Sequence, residues 1–278
     1  MLKPKLLYYE LGPKVTAFST TRHGGCSKGR HGSFNINHYC GDDEADIARN
    51  LAALKEMIGV EQVILPHQTH GTEVRLVTHQ PPAEGWKEEL EGVDAVMTAD
   101  AGICIGVSTA DCIPILLYDE VHHAAAAVHA GWRGTVKRIV KKSVESMNDA
   151  FGTKASELKA VIGPGISLDA FEVGDEVYEQ FLKAGFPMDK IALRYPIQPA
   201  PQGVSVSSIH HHPSSITHHQ NSKWHIDLPL CIFLQLQEAG VSQIEMTGIC
   251  TYQQSEDFFS ARKLTVDSGR IYTAIVLR

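Results

Sequence analysis

Around the stretch Val107 to Thr135 the chain carries two apolar runs, one over 103–119 and one over 124–128, and runs of that kind have to be buried. Runs of this length, rich in Ile and Val and bounded by turn residues, read as strands of a buried sheet. The first half, ICIGVSTADCIPILLYD, is interrupted by a polar knot, Ser108-Thr109-Ala110-Asp111-Cys112. The second half, 124–128, stops abruptly at His129-Ala130-Gly131-Trp132-Arg133-Gly134. An unpaired polar group in such surroundings costs roughly 2–7 kcal/mol. The carboxylate, the thiol and the imidazole are therefore expected to face one site, around which the rest of the chain is organised.

The flanking sequence supplies the elements for a mixed sheet protein. Residues 6–10 and 15–20 predict an opening hairpin with Gly12-Pro13 at its turn. Asp42 or Asp43 caps a helix over 45–58, where Ile47, Leu51, Leu54 and Ile58 form one apolar stripe and Gly59 ends it. Short strands at 63–65 and 74–77 flank His67-Gln68-Thr69-His70-Gly71, a polar surface excursion occupies 80–91, and 93–98 returns as a strand. Helical spacing over 136–151 is closed by Gly152, and a strand at 158–162 feeds the turn Gly163-Pro164-Gly165-Ile166. Further helices are predicted at 173–182 and 224–240, with strands at 244–250 and 271–277. Strand–helix–strand units mixed with hairpins predict an α+β (mixed α/β) protein with mixed sheets, not a clean doubly wound one. With no internal repeat and no low-complexity linker, the reading is a single domain over 1–278.

Composition excludes several classes of function. A formal net charge of −7 without a basic run argues against a nucleic-acid binder. No apolar stretch is long enough for a bilayer, and the N-terminus lacks a signal-peptide core, so no membrane partner is expected. Six cysteines, scattered and without a CxxC pair, read as reduced thiols of a cytoplasmic protein. A homo-oligomer is compatible with the sequence, which does not fix the number of copies.

Three strand-end side chains carry the chemistry: His70, Cys112 and His129, which are 42 and 17 residues apart in turn. That spacing is too wide for a zinc finger and suits a site assembled by tertiary folding. Two imidazoles and a thiolate would leave the fourth position of a tetrahedral metal for water or substrate. The same trio without metal would be a cysteine nucleophile with a histidine base. Cys112 as a small buried hydrophobe beside a satisfied His129 is the third reading, and spacing alone leaves all three open. Thr21-Arg22-His23-Gly24-Gly25 reads as a solvated loop whose arginine could also fork an anion. The histidines of 209–219 read as an opportunistic surface tract.

The motifs TRHGG (21–25), SFN (33–35), HQTHG (67–71), VDAVMT (93–98), STADCIP (108–114), AVHAGWRG (127–134) and IGPGI (162–166) occur in an order that resembles one family. CTYQQSEDFFSARK (250–263) extends the likeness, so it covers nearly the whole chain. The sequence is similar to the YlmD/YfiH family, once described as laccase-domain or multicopper polyphenol oxidase proteins and now as purine nucleoside phosphorylases. The resemblance implies a four-layer α/β/β/α sandwich and a catalytic metal site at His70, Cys112 and His129, usually zinc, with copper the other ion. It implies phosphorolysis of adenosine, inosine and S-methyl-5′-thioadenosine with inorganic phosphate as co-substrate, and adenosine deamination besides. Small-molecule nucleosides and phosphate are thus the expected partners. Arg22 and Arg133 are the candidates for binding phosphate, because a guanidinium fork suits its oxygens; Arg133 could instead stack beside Trp132. Asn35, in the SFN motif, is taken as substrate-binding. Asp111 is the nearest carboxylate for a proton shuttle, but adjacent strand residues point to opposite faces. Asp111 and Cys112 therefore share a pocket only if the strand bulges or ends there. Ala261-Arg262-Lys263 departs from the family's more usual Tyr-Arg-Arg, which puts a substrate role for that segment in doubt. His23 and the 209–219 histidines look peculiar to this chain. A copper-dependent polyphenol oxidase and a metal-free Cys-His hydrolase are the rival activities, and a multicopper oxidase needs more ligands than one His–Cys–His set.

Overall fold

The computed structural model describes residues 2–79, 90–196 and 222–278. The histidine tract at 209–219 and nearly all of the excursion expected at 80–91 lie outside the described residues. Strands β1 (Leu6–Tyr9) and β2 (Val15–Thr20) form the opening hairpin. Helix α1 (Glu44–Ile58) starts where the Asp43 carboxylate accepts from the Ala45 and Asp46 amides and stops at Gly59, at φ 65°. Strands β3 (Gln62–Ile64), β4 (Glu73–Leu76) and β5 (Val93–Thr98) follow.

The interrupted apolar run resolves into two strands that belong to different sheets, β6 (Ile103–Thr109) and β7 (Ile113–Asp119). The polar knot is the crossing between them, which is why its side chains are not inside a ladder. β7 pairs with β8 (Ala124–Ala130) in a hairpin whose register sets Ile113 opposite Ala130 and Pro114 opposite His129.

Beyond β8 the helix predicted over 136–151 arrives as two. Helix α2 (Trp132–Val136) ends after a little over one turn, and α3 (Ile139–Phe151) begins beyond Arg138, at φ 62°. The Arg138 guanidinium donates to the Ala184 carbonyl and lies over the Phe186 ring, contacts that hold this break in place. The chain continues through β9 (Leu158–Ile162), β10 (Glu172–Val173), α4 (Asp175–Lys183), α5 (Met188–Ile191) and β11 (Ala192–Pro196). The helix expected from 224 is a strand first: β12 (Ser222–Ile226) pairs with β11, and α6 (Leu228–Glu238) starts at the Asp227 cap with Pro229 in its first turn. Trp224, Leu228, Ile232 and Leu236 have helical spacing, but Trp224 is used to stack on Tyr178 instead. Strand β13 (Gln243–Met246) is shorter than the predicted 244–250, and Cys250 forms an isolated bridge to Gly165. Helix α7 (Ala261–Leu264) and β14 (Ile271–Leu277) close the chain.

A five-stranded sheet, β1-β2-β14-β6-β3, lies against a six-stranded one, β13-β9-β7-β8-β5-β4, and a small third sheet is ordered β10-β12-β11. Alternation along the strands builds the layers. Ile103, Ile105 and Ile275 from one sheet meet Leu116, Tyr118 and Val161 from the other in a dry interface. Cys104, Ala274 and Val276 point the opposite way, onto Leu54 and Ile58 of α1. Ile115 and Leu117 point away from the interface too, onto Val140 and Met147 of α3 and Ile232 of α6. The result is an α+β fold with mixed sheets and the α/β/β/α layering expected. Its order β7-β8-β5-β4 puts the starts of β7, β5 and β4 and the end of β8 along one edge, and the site forms there.

Candidate metal centre and cavity

Each site residue sits where a strand meets that shared edge. Cys112 precedes β7 and, by the hairpin register, comes level with Gly131 just past β8; His129 is the penultimate residue of β8. The register Ala95↔Val128 brings Asp94 of β5 beside His129. The loop holding His70 leads into β4, the neighbour of β5. Residues 42 and 17 positions apart are gathered in this way, and one ligand atom from each of His70, Cys112 and His129 lies within 4.8 Å of the others. The Cys112 sulfur is 3.6 Å from His70 Nε2.

Asp94 is the organiser that sequence reasoning missed. Fully buried, it accepts from His129 Nδ1 at 2.7 Å, which leaves Nε2 for the site. Its two oxygens also accept from the backbone amides of Thr69, His70 and Gly71, at 3.3, 3.0 and 2.7 Å. One carboxylate thus orients one imidazole directly and aims the other by fixing its loop, the arrangement that metal-binding histidines commonly have. His70 is held at φ 62°, a conformation that non-glycine residues rarely adopt, and the three amide bonds are what sustain it. Gln68 anchors the same loop by exchanging two 2.8 Å hydrogen bonds with the backbone of Ser108. The signal for Asp94 was in view, an acid in an otherwise apolar strand.

The electrostatics favour a charged pair. Burial pushes the Cys112 thiol up, but the positive His129 and hydrogen bonds from His129 and His70 outweigh it and bring the pKa down to about 6. Burial would depress His129, yet the Cys112 thiolate and Asp94 raise it to about 9. The donor set fits a borderline-soft divalent ion, with one sulfur and two ring nitrogens on a cavity wall. Gly131 keeps the space clear, since a Cβ there would meet His70 Cδ2 at 2.6 Å and the Cys112 sulfur at 3.1 Å.

The cavity has a volume of about 630 Å³, and His70, Asp111, Cys112 and His129 line it. Asp111 and Cys112 share it because β6 has ended at Thr109 and Asp111 turns at φ 84°. The Asp111 carboxylate is already engaged, accepting from the Thr251 hydroxyl at 2.7 Å and the Arg262 amide at 2.6 Å. It anchors the C-terminal loops and is not placed as a free proton shuttle.

Of the residues expected to bind substrate, none lines this cavity. Arg22 donates to the carbonyls of Gly32 and Ser255 and rests over Phe259. Asn35, fully buried, donates to Asp42 and the Asn37 carbonyl and accepts from the Arg270 amide. Arg133 is exposed and stacks on Trp132 at 4.3 Å. The arginines that do line the cavity are Arg262, from the segment whose role the sequence had put in doubt, and Arg270, which the sequence had not singled out. Backbone carbonyls of Ala170 and Glu172 hold the Arg262 guanidinium, and those of Val266, Ser268 and Gly269 hold Arg270.

Residues 16–278 match the family described as multi-copper polyphenol oxidoreductase laccase. The chain belongs to this family. It is 40% identical over 270 residues to a purine nucleoside phosphorylase of Bacteroides thetaiotaomicron, covering 95% of this chain and 92% of that one. It is 37% identical over 268 residues to adenosine deaminase RL5 from an unknown prokaryotic organism, covering 94% and 93%. Among solved structures, the Bacillus licheniformis hypothetical protein YfiH superposes with a TM-score of 0.84 at 25% identity, covering 99% of this chain and 97% of that chain. YlmD from Geobacillus stearothermophilus gives 0.79 at 28% identity, covering 95% and 92%. The family and its fold are those the motifs implied.

Proposed function

We propose that the protein is a metal-dependent purine nucleoside phosphorylase acting on adenosine, inosine and S-methyl-5′-thioadenosine, and that it also deaminates adenosine. The observation that carries this reading is the meeting of His70, Cys112 and His129 on the wall of a cavity that also holds two backbone-braced arginines. The names of the two relatives, one a phosphorylase and one a deaminase, support the two reactions. His70, Cys112 and His129 would hold the ion, zinc or copper, and the ion would supply Lewis-acid polarisation of the reacting groups.

The remaining work falls to the protein's own side chains. Arg262 and Arg270, in place of Arg22 and Arg133, are suited to bind inorganic phosphate, because their guanidinium planes are fixed before the anion arrives. Asp94 keeps His129 in one tautomer and holds the His70 loop. Trp132, Phe171 and Ile166 give the cavity an apolar side for a base or sugar. A metal-free Cys-His hydrolase would need one imidazole; the dedication of three amide bonds to aiming a second favours the metal reading. A cytoplasmic setting fits the six free cysteines, since Cys112 must stay reduced for its thiolate to serve as ligand.

The test is anaerobic incubation of purified protein with inosine or adenosine, with and without phosphate, followed by chromatography of the products. The expected result is hypoxanthine or adenine with a pentose 1-phosphate only when phosphate is present, and inosine from adenosine in either case. Base release indifferent to phosphate would contradict the proposal, as would a parallel aerobic assay in which oxidation of phenols is the sole activity.

A further inference from the structure

Breaking the bond between sugar C1′ and purine N9 sends an electron pair into the base, and departure as a neutral purine needs a proton at N7. That requirement rests on the phosphorylase reading above. Few groups on the cavity wall can meet it. His70, Cys112 and His129 are committed to one another and to the ion. Asp111 has both oxygens engaged, and an arginine does not release a proton. Burial and the Glu91 carboxylate raise the Tyr39 phenol above its ordinary value, which makes it a poor proton donor.

His67 is left, and its surroundings are those of a proton donor. It lines the same cavity. Its Nδ1 donates to the Glu91 carboxylate at 2.7 Å, so when the ring carries two protons the one left to give up is on Nε2. Its backbone is tied by a 3.0 Å bond to the Leu90 carbonyl and by a bridge to Glu91. Tyr39 lies flat against the imidazole, with ring centres 4.0 Å apart and planes 19° from parallel. The ring is therefore braced from the side and from the face, while no hydrogen bond occupies Nε2 among the described residues.

We propose that His67 is the general acid that protonates the departing purine, with Glu91 and Tyr39 as its positioning residues. A phosphate oxygen bonds to C1′ as the C1′–N9 pair passes into the purine ring. The Nε2 proton moves to N7, and the imidazolium becomes imidazole. A third of the His67 side chain is exposed, so solvent can return the proton after each turnover.

The experiment compares inosine with 7-methylinosine, whose base already carries its substituent at N7 and leaves without a proton. His67→Gln should lower kcat/KM on inosine by about 10²- to 10⁴-fold, the usual range for a lost general acid. On 7-methylinosine the loss should stay under about tenfold. Glu91→Gln, which keeps the imidazole, should show the same substrate bias at smaller amplitude and serves if the first variant folds poorly. Equal losses on both substrates, or unchanged inosine turnover, would overturn the assignment while the wild type remains active. A wild type that releases base from neither substrate would instead sink the phosphorylase reading itself.

Discussion

Two histidines in this protein are each held through Nδ1 by an aspartate at 2.7 Å, and they stand at opposite ends of the β7–β8 hairpin. At one end is His129 with Asp94; at the other is His122 with Asp119. Each end also gathers a trio of donors within 4.8 Å, the far trio being Asp119, His122 and Glu157. The difference lies in what the aspartate does with its remaining capacity. Asp119 accepts from the amides of Val121 and His122, two and three residues on, and so closes the turn it sits in. Asp94 accepts from three consecutive amides of a loop more than twenty residues earlier, and that loop delivers His70. His129 then lines the large cavity, whereas His122 does not. A histidine–aspartate pair is thus not in itself the mark of a site; what distinguishes Asp94 is that the same carboxylate also fixes the loop of a distant donor, His70.

This contrast can be broken most severely at the sulfur. Cys112→Ala should remove both phosphorolysis and deamination, while His122→Ala should leave both near wild type; kcat/KM with inosine and adenosine, alongside a circular dichroism spectrum, decides it. Equal loss in the two variants would erase the distinction between the ends.

The carboxylates sharpen it further. Asp94→Asn keeps the shape but weakens the hold on His129 Nδ1 and on three amides. Losses of about 10- to 100-fold in metal affinity or turnover follow from removing such support. Asp119→Asn should instead cost about 1–3 kcal/mol of stability with turnover retained, the range for disturbing a buried hydrogen-bonded group. Denaturant melts and steady-state assays on the same two proteins read both axes.

A smaller effect separates Cys112 from an ordinary thiol. In chelator-stripped protein its pKa is lowered to about 6 and that of His129 raised to about 9, so thiolate and imidazolium coexist across that window. The sign is that of a depressed acid: the thiolate persists as pH falls and is lost only below about 6. Iodoacetamide alkylation of Cys112, followed by mass spectrometry, should stay fast down to that pH. A midpoint near the usual thiol value of about 8.5 would contradict the charged pair.

Much of this was legible in the sequence, for reasons that can be located. The opening hairpin, α1 with its Asp43 cap and Gly59 stop, and β14 all follow from local pattern and turn chemistry. Cys112 and His129 stood out because polar groups seldom interrupt apolar strands, whereas His70 joined them through the family motif HQTHG. Hidden were the features that depend on tertiary register. Nothing local marks Ala110 to Cys112 as a crossing between sheets, and the break at Arg138 is set by the distant Ala184 and Phe186. Which arginines line the cavity depends on register in the same way. Arg22 and Arg133 sit in motifs, yet their guanidiniums are occupied by carbonyls and an indole, while Arg262 and Arg270 reach the cavity from the chain's far end. Asp94 stands as a lone acid in an apolar strand, but its reach to both imidazoles is visible only in the β4–β5–β8 order.

The central claim, that one sulfur and two imidazoles act as a single ion's ligands, is tested most directly by elemental analysis of purified protein. One equivalent of zinc or copper is expected in the wild type and in His122→Ala, and almost none in Cys112→Ala, with turnover following the metal in all three. A full equivalent retained by Cys112→Ala, or wild-type turnover undiminished after the metal has been stripped, would contradict it.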